Sequence, residues 1–230
     1  MDLARDLIDH RIADLDDEDA GMVDDIWITW THDAATLGPI ITGTAALLHQ
    51  LGRAGVALSA IAAHIGWSHA NVWREIPWTD VRRIERPQVK LLLPRAQLPE
   101  LPHRTSHVTT EHTNAMLYSE LINLPVFTRD HRRLGIIDIR TAALISEPPR
   151  VLGLLVTAHS RRRSFGLKHF DTTTIRLGGI TRGGCFLAWS DIARITDQAI
   201  HTNAASGELT PLAAAPKPEP PPMPEGPTPP

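Results

Sequence analysis

Apolar and polar residues alternate with a period of two along much of this chain, in short runs separated by turn-forming residues. Ile12, Ala13 and Leu15 lead into the acidic cluster Asp16–Asp19, and beyond Gly21 the residues Ile26, Ile28 and Trp30 alternate with Trp27 and Thr29. This predicts a hairpin closed by a tight acidic turn. A third strand is expected at Ile40–Gly43, after a Gly-Pro break, and further strands at Val72–Ile76 and Gln88–Leu93. Between them the period changes. Thr44 can cap a helix, Ala45, Ala46, Leu47, Leu48 and Leu51 form one apolar face, and Gly52 supplies a left-handed stop. Val56–Ile65 repeats the arrangement before Gly66, so a helical pair is predicted over residues 44–65.

The pattern is duplicated. Ile76–Ile84, Ile-Pro-Trp-Thr-Asp-Val-Arg-Arg-Ile, returns as Leu187–Ile195, Leu-Ala-Trp-Ser-Asp-Ile-Ala-Arg-Ile, 111 residues later. Glu120-Leu121-Ile122 matches Asp6-Leu7-Ile8, and Gly135–Ile139 matches Gly21–Asp25, both at an offset of 114. Val151-Leu152-Gly153 aligns with Ile41-Thr42-Gly43, and Gln198-Ala199-Ile200 with Gln88-Val89-Lys90, both at 110. A repeat of this kind means that one supersecondary unit was copied. A tryptophan inside a duplicated apolar frame is core, so Trp78 and Trp189 are expected to cover the ends of their units, with Asp80 and Asp191 capping the next backbone amides. The alternative is that the two tryptophans anchor an interface. In place of the helical pair, the second unit has Ser160–Gly184, rich in Arg, Thr and Gly, which reads as β-hairpins whose turns include Gly178-Gly179 and Gly183-Gly184.

Several of these residues resemble the PRC-barrel family, small β-barrels found in the H subunit of photosynthetic reaction centres and at the C-terminal end of the ribosome maturation factor RimM. The resemblance is carried by Leu121-Ile122-Asn123-Leu124-Pro125-Val126, by Arg129–Asp138, by Pro149–Val156 and by the Trp-Ser-Asp-Ile turn. The first unit resembles a variant in which Ile41–Leu48 leads into the inserted helices. Where the family commonly has glycine, this chain has Asp17 or Glu18 in the first turn of unit one, His131 in that of unit two, and Asn123. The expected fold is therefore mainly β: two tandem small PRC-type β-barrels at 1–94 and 115–202, the first with the helical insertion, a linker at 95–114 and a disordered Pro-rich tail at 203–230. Barrels this small fill their interiors with side chains, so no internal ligand cavity is expected.

Charge changes the picture once it is divided. Residues 1–86 carry 14 acidic and 7 basic side chains, whereas residues 121–196 carry 5 acidic and 12 basic. Opposed halves either dock on each other or steer partners of opposite sign, although drifting surface charge gives the same count. The basic half contains Arg161, Arg162 and Arg163 followed by Phe165 and Lys168, with Arg150 and Arg176 expected on adjoining strands; such a cluster can hold phosphates and stack a base, or simply be solvated. Leu47 and Leu51 on the helical pair are the other candidate partner-binding residues, as a homodimer contact or as a cap on their own barrel.

Catalytic chemistry is thin. His103, His107 and His112 lie among Thr, Ser and Pro with no carboxylate or cysteine cluster of metal-binding spacing, and Asp14–Asp19 lacks the glycine and terminal glutamate of a calcium loop. The single Cys185 excludes an internal disulfide and fits a reducing cytoplasm. The longest apolar candidate, Leu47–Ile65, is interrupted by His49, Gln50, Arg53 and His64, and the acidic N-terminus lacks the regions of a signal peptide. With no enzyme, metal or cofactor indicated, the expectation is a cytoplasmic adaptor that docks a protein partner. The alternatives are an RNA- or ribosome-associated assembly factor and, third, a peripheral regulator of a membrane complex or transporter.

Overall fold

The computed structural model describes residues 1–43, 73–85, 87–98, 100–101, 114–142, 147–158 and 184–217, and over them the protein is mainly β. The expected helical pair at 44–65, with Leu47 and Leu51, and the hairpins of 160–183 lie outside the described residues. Unit one contains α1 (Leu3–Asp6), β1 (Arg11–Ala13), β2 (Asp19–Met22), β3 (Asp25–Trp30), β4 (Ala35–Thr42), β5 (Trp73–Ile76), β6 (Val81–Glu85), β7 (Gln88–Leu91) and β8 (Glu100–Leu101). Unit two contains β9 (Asn114–Leu117), α2 (Tyr118–Leu121), β10 (Pro125–Phe127), β11 (Arg133–Thr141), β12 (Val151–Thr157), β13 (Gly184–Ala188), β14 (Ile192–Ile195), β15 (Ile200–Thr202) and β16 (Thr210–Pro211).

Both units lay their strands down in one order. Unit two forms a seven-stranded sheet, β14-β15-β10-β11-β12-β13-β16, and unit one repeats it in two pieces, β6-β7-β1-β2 and β8-β5-β4-β3-β9. The pieces separate because the counterpart of β11 breaks at Val23-Asp24. There Val23 exchanges backbone hydrogen bonds with the Asp9–His10 turn, while Asp24 turns to Ile41 and Gly43. The tight turn expected to need glycine is held in both units by a residue with positive φ, Asp17 at 62° and His131 at 61°. Asp and His are among the non-glycine residues that tolerate that region best.

Strand register corrects part of the sequence alignment. Ile76 pairs with Ile40 and Leu187 with Leu154, so Ile40 and Leu154 are equivalent, 114 residues apart rather than 110. Val89 pairs with Ile12 and Ile200 with Val126, which makes Val89 and Ile200 the true match. Side chains alternate faces along a strand, so the one-residue slip in that alignment would have turned β15 inside out. Gly38-Pro39, read as a break, lies within β4 at a register shift between Ile26 and Ile28 of β3. A bulge is where a strand tolerates a residue without an N–H. Residues 203–217, expected to be tail, are also part of the body. β16 pairs with β13, and Leu209 and Ala215 are buried. The described ends of the linker join sheets through β8 and β9.

The helices α1 and α2, four residues each, were not foreseen and are too short to form alone. Each is held by the other unit. Asp138 Oδ1 on β11 accepts the Ala4 amide at 2.9 Å, and Asp25 Oδ1 on β3 accepts the Ser119 amide at 3.1 Å. Ala4 and Ser119 occupy the same place in their helices. The residues just before each helix cross over as well: β9 pairs with β3 (Leu117 opposite Trp27), and Asp2 forms a bridge with Arg140 on β11. Thr36 bridges Arg150, its own equivalent, so a pseudo-twofold axis passes between them. The two units therefore trade their leading segments.

One continuous core follows. Leu3, Leu7, Ile28 and Leu37 belong to the same buried cluster as Leu121, Ile139, Val151 and Leu154. Trp189 is buried in it and meets Trp30 of the first unit edge-to-face, with centroids 6.5 Å apart. In the centre of unit two, a Cβ at Gly153 would lie 2.2 Å from the Leu187 carbonyl and 2.7 Å from the Phe186 ring. Backbone on one side cannot yield, so Gly153→Ala is expected to destabilise by about 1–3 kcal/mol in a denaturant titration.

Candidate binding face on the second repeat

In β10 and β15, Val126 and Ile200 are fully buried, which turns Phe127 and His201 to the opposite face of the sheet. Register then aligns a row across four strands. Arg133 on β11 is opposite Phe127, Phe127 is opposite His201, and His201 is opposite Arg194 on β14. Directly opposed residues point to one side, so the row presents cation, aromatic, aromatic, cation. The two rings stack at 5.7 Å with 24° between their planes, both are half-exposed, and the two arginines are exposed.

Unit one supplies an internal comparison. Its equivalent row is Asp19, Ala13, Lys90 and Arg83. It has no aromatic residue, and its cations are engaged: Lys90 Nζ lies 2.6 Å from Asp17 and Arg83 3.1 Å from Glu85. Among the described residues, Arg133 and Arg194 form no ion pair.

The ground beside the row is held by a loop that the sequence assigned to the tail. Asp130 accepts the Ser206 hydroxyl at 2.6 Å and the Ser206 amide at 2.8 Å, which holds its carboxyl well below the usual carboxylate range. Arg129 pairs with Glu208 at 2.6 Å. Behind this loop a cleft of about 370 Å³ is floored by Leu134, Val156, Cys185 and Leu209 and rimmed by Arg132 and Arg133. Register places the cleft floor on the face that carries Val126, because Leu134 is opposite Val126 and Ile136, Val156 and Cys185 follow in line, so the cleft and the row lie on opposite faces of the sheet.

Arg161, Arg162, Arg163, Phe165 and Lys168 lie outside the described residues, but their segment departs after Ala158, which lines this cleft, and returns at Gly184. Arg150 immediately precedes β12, at the opposite end of that strand from Ala158. Trp78–Asp80 and Trp189–Asp191 each form a 3-10 turn. The expected caps by Asp80 and Asp191 take another form among the described residues: their backbone carbonyls accept the Leu92 and Asn203 amides, while the N-cap positions are Pro77 and Ala188. A proline or alanine side chain has no acceptor, so those turns are closed by backbone alone. Among the described residues no group of His, Cys, Asp and Glu is placed to hold a metal, and no helix is long and apolar enough to cross a membrane.

Sequence reasoning missed the row. The alternation around Val126 could have turned Phe127 outward, but its neighbours His201 and Arg194 depend on a parallel pairing that no local signal encodes. No family model matches the chain, and no curated protein matches it.

Proposed function

We propose that the chain is a non-enzymatic binding protein, built from two PRC-type barrels, that docks a macromolecular partner on the outer face of its second unit. The observation that carries this reading is the contrast between equivalent rows. The row of one unit has its cations tied to its own carboxylates, and the row of the other sets two arginines, without an ion pair among the described residues, beside stacked rings. Arginine and aromatic side chains are the residues most enriched where interfaces concentrate their energy. The opposed charge of the two halves would orient an acidic partner toward the second.

The test is capture from native extract by the immobilised full chain, by an Arg133→Glu/Arg194→Glu variant and by an Arg82→Glu control in unit one. A partner retained by the wild type and the control but lost from the double variant is the expected result. Retention of the same partners by all three would remove this face from the account. A second reading, an RNA-associated assembly factor, is favoured by the stacked pair at the centre of the row.

A further inference from the structure

We infer that the row Arg133–Phe127–His201–Arg194 is a binding track for single-stranded nucleic acid, with the rings receiving bases and the arginines receiving phosphates. The inference rests on the binding reading above and names the class of partner. Three observations bear on it. First, the two rings sit on neighbouring strands of an open sheet face, and bases of any identity stack on aromatic side chains presented in that way. Second, cations stand at both ends of the row with no ion pair among the described residues, so a phosphate arriving there displaces no carboxylate of those residues. Third, the duplicated row in unit one, with Asp19 and Ala13 in the places of Arg133 and Phe127, has neither property.

Duplex nucleic acid fits less well. Its bases are stacked within the helix, and among the described residues this sheet face carries no protruding helix or ribbon to enter a groove and reach them. An acidic protein surface could use the arginines but has no need of the rings, so changes in the rings separate the two partners.

The experiment is fluorescence anisotropy with a labelled 20-nucleotide single-stranded RNA of mixed sequence, DNA of the same sequence, the corresponding RNA duplex and a poly-glutamate peptide. The proteins are the full chain, Phe127→Ala/His201→Ala, Arg194→Gln, and Lys90→Ala as the unit-one control. Arg194→Gln keeps the test informative if the ring variant folds poorly, since Arg194 is exposed on the edge strand. The wild type is expected to bind single strands at least tenfold more tightly than duplex. The ring variant is expected to lose about tenfold or more with the salt dependence retained, and Arg194→Gln to weaken binding with a salt slope shallower by about one. Lys90→Ala should bind as the wild type does. The RNA and DNA arms decide which sugar is accepted. No binding to either single strand, unchanged affinity in the ring variant, or equal binding of poly-glutamate would each overturn the inference. If a partner is captured from extract in the charge-dependent manner described above while single strands fail to bind, the binding reading stands and the nucleic-acid assignment falls.

Discussion

Replacing Arg140 with methionine is expected to lower the unfolding free energy by about 3–5 kcal/mol in guanidinium denaturation at neutral pH. Arg140 is buried, and its guanidinium grips Asp2 with two bonds, Nε to Oδ1 at 2.7 Å and Nη2 to Oδ2 at 3.1 Å. Its remaining nitrogen, Nη1, donates to the Pro216 carbonyl at 2.6 Å. One side chain of the second unit thereby joins the leading segment of the first to the end of the described chain. Methionine fills similar space but leaves the Asp2 carboxylate buried beside Asp6 with no cation as close. The magnitude comes from that stranded charge more than from the lost bonds. Arg129→Met is the contrast: its pair with Glu208 is largely exposed, so the change should cost less than about 1 kcal/mol.

The second large effect is a pH dependence with an unusual sign. Burial pushes the Asp138 carboxyl up to about 7, against hydrogen bonds from the Ala4 and Ile139 amides and the Tyr118 hydroxyl that favour the charged form. A carboxyl with a raised folded-state pKa holds its proton longer in the native protein than in the unfolded chain. Stability therefore falls as pH rises from about 4 to about 7, and below that window both states are protonated and the penalty vanishes. The fall is on the order of 4 kcal/mol. Asp2, Asp6, Arg5 and Arg140 are the charged neighbours of this site, and the Asp2 carboxylate adds to the upward shift. Asp138→Asn retains an oxygen for the Ala4 amide and carries no charge, so its stability should vary little between about pH 4 and about pH 7, the window over which the wild type declines. Asp14, Asp17, Asp130 and Glu208 act in the opposite direction. Their hydrogen bonds and ion pairs lower their pKa, so what they contribute is lost only as pH falls below the ordinary carboxylate range.

Local chemistry made much of the fold legible in the sequence. The alternation of Ile26, Ile28 and Trp30 is β3, the Trp-x-Asp frame is a 3-10 turn in both copies, and the duplication extends to the strand order, with β2 and β3 together in the place of β11. The misses share a physical cause. Asp25 and Asp138 interrupt apolar strands as outward-facing carboxylates commonly do, and only the arrival of a helix from the other unit gives them their buried partners. The sequence offset of 114 matched Asp138 to Asp24, because the break and bulge around β3 shift the frame by one residue. Leu209 and Ala215 read as the start of a proline-rich tail, since the strands they pack on, β12 and β13, are distant along the chain. The binding row was hidden for the same reason: Phe127 and His201 are 74 residues apart, and their contact is a consequence of register.

The two units exchange their leading segments and so behave as one body. Hydrogen exchange followed by mass spectrometry on the Arg140→Met variant tests it most directly, because peptides from β3 and β11 report on the units separately. The account predicts that protection falls in both strands by the same factor, although the substituted residue lies in one of them. Loss confined to β11 and its neighbours, with β3 as protected as in the wild type, would contradict it.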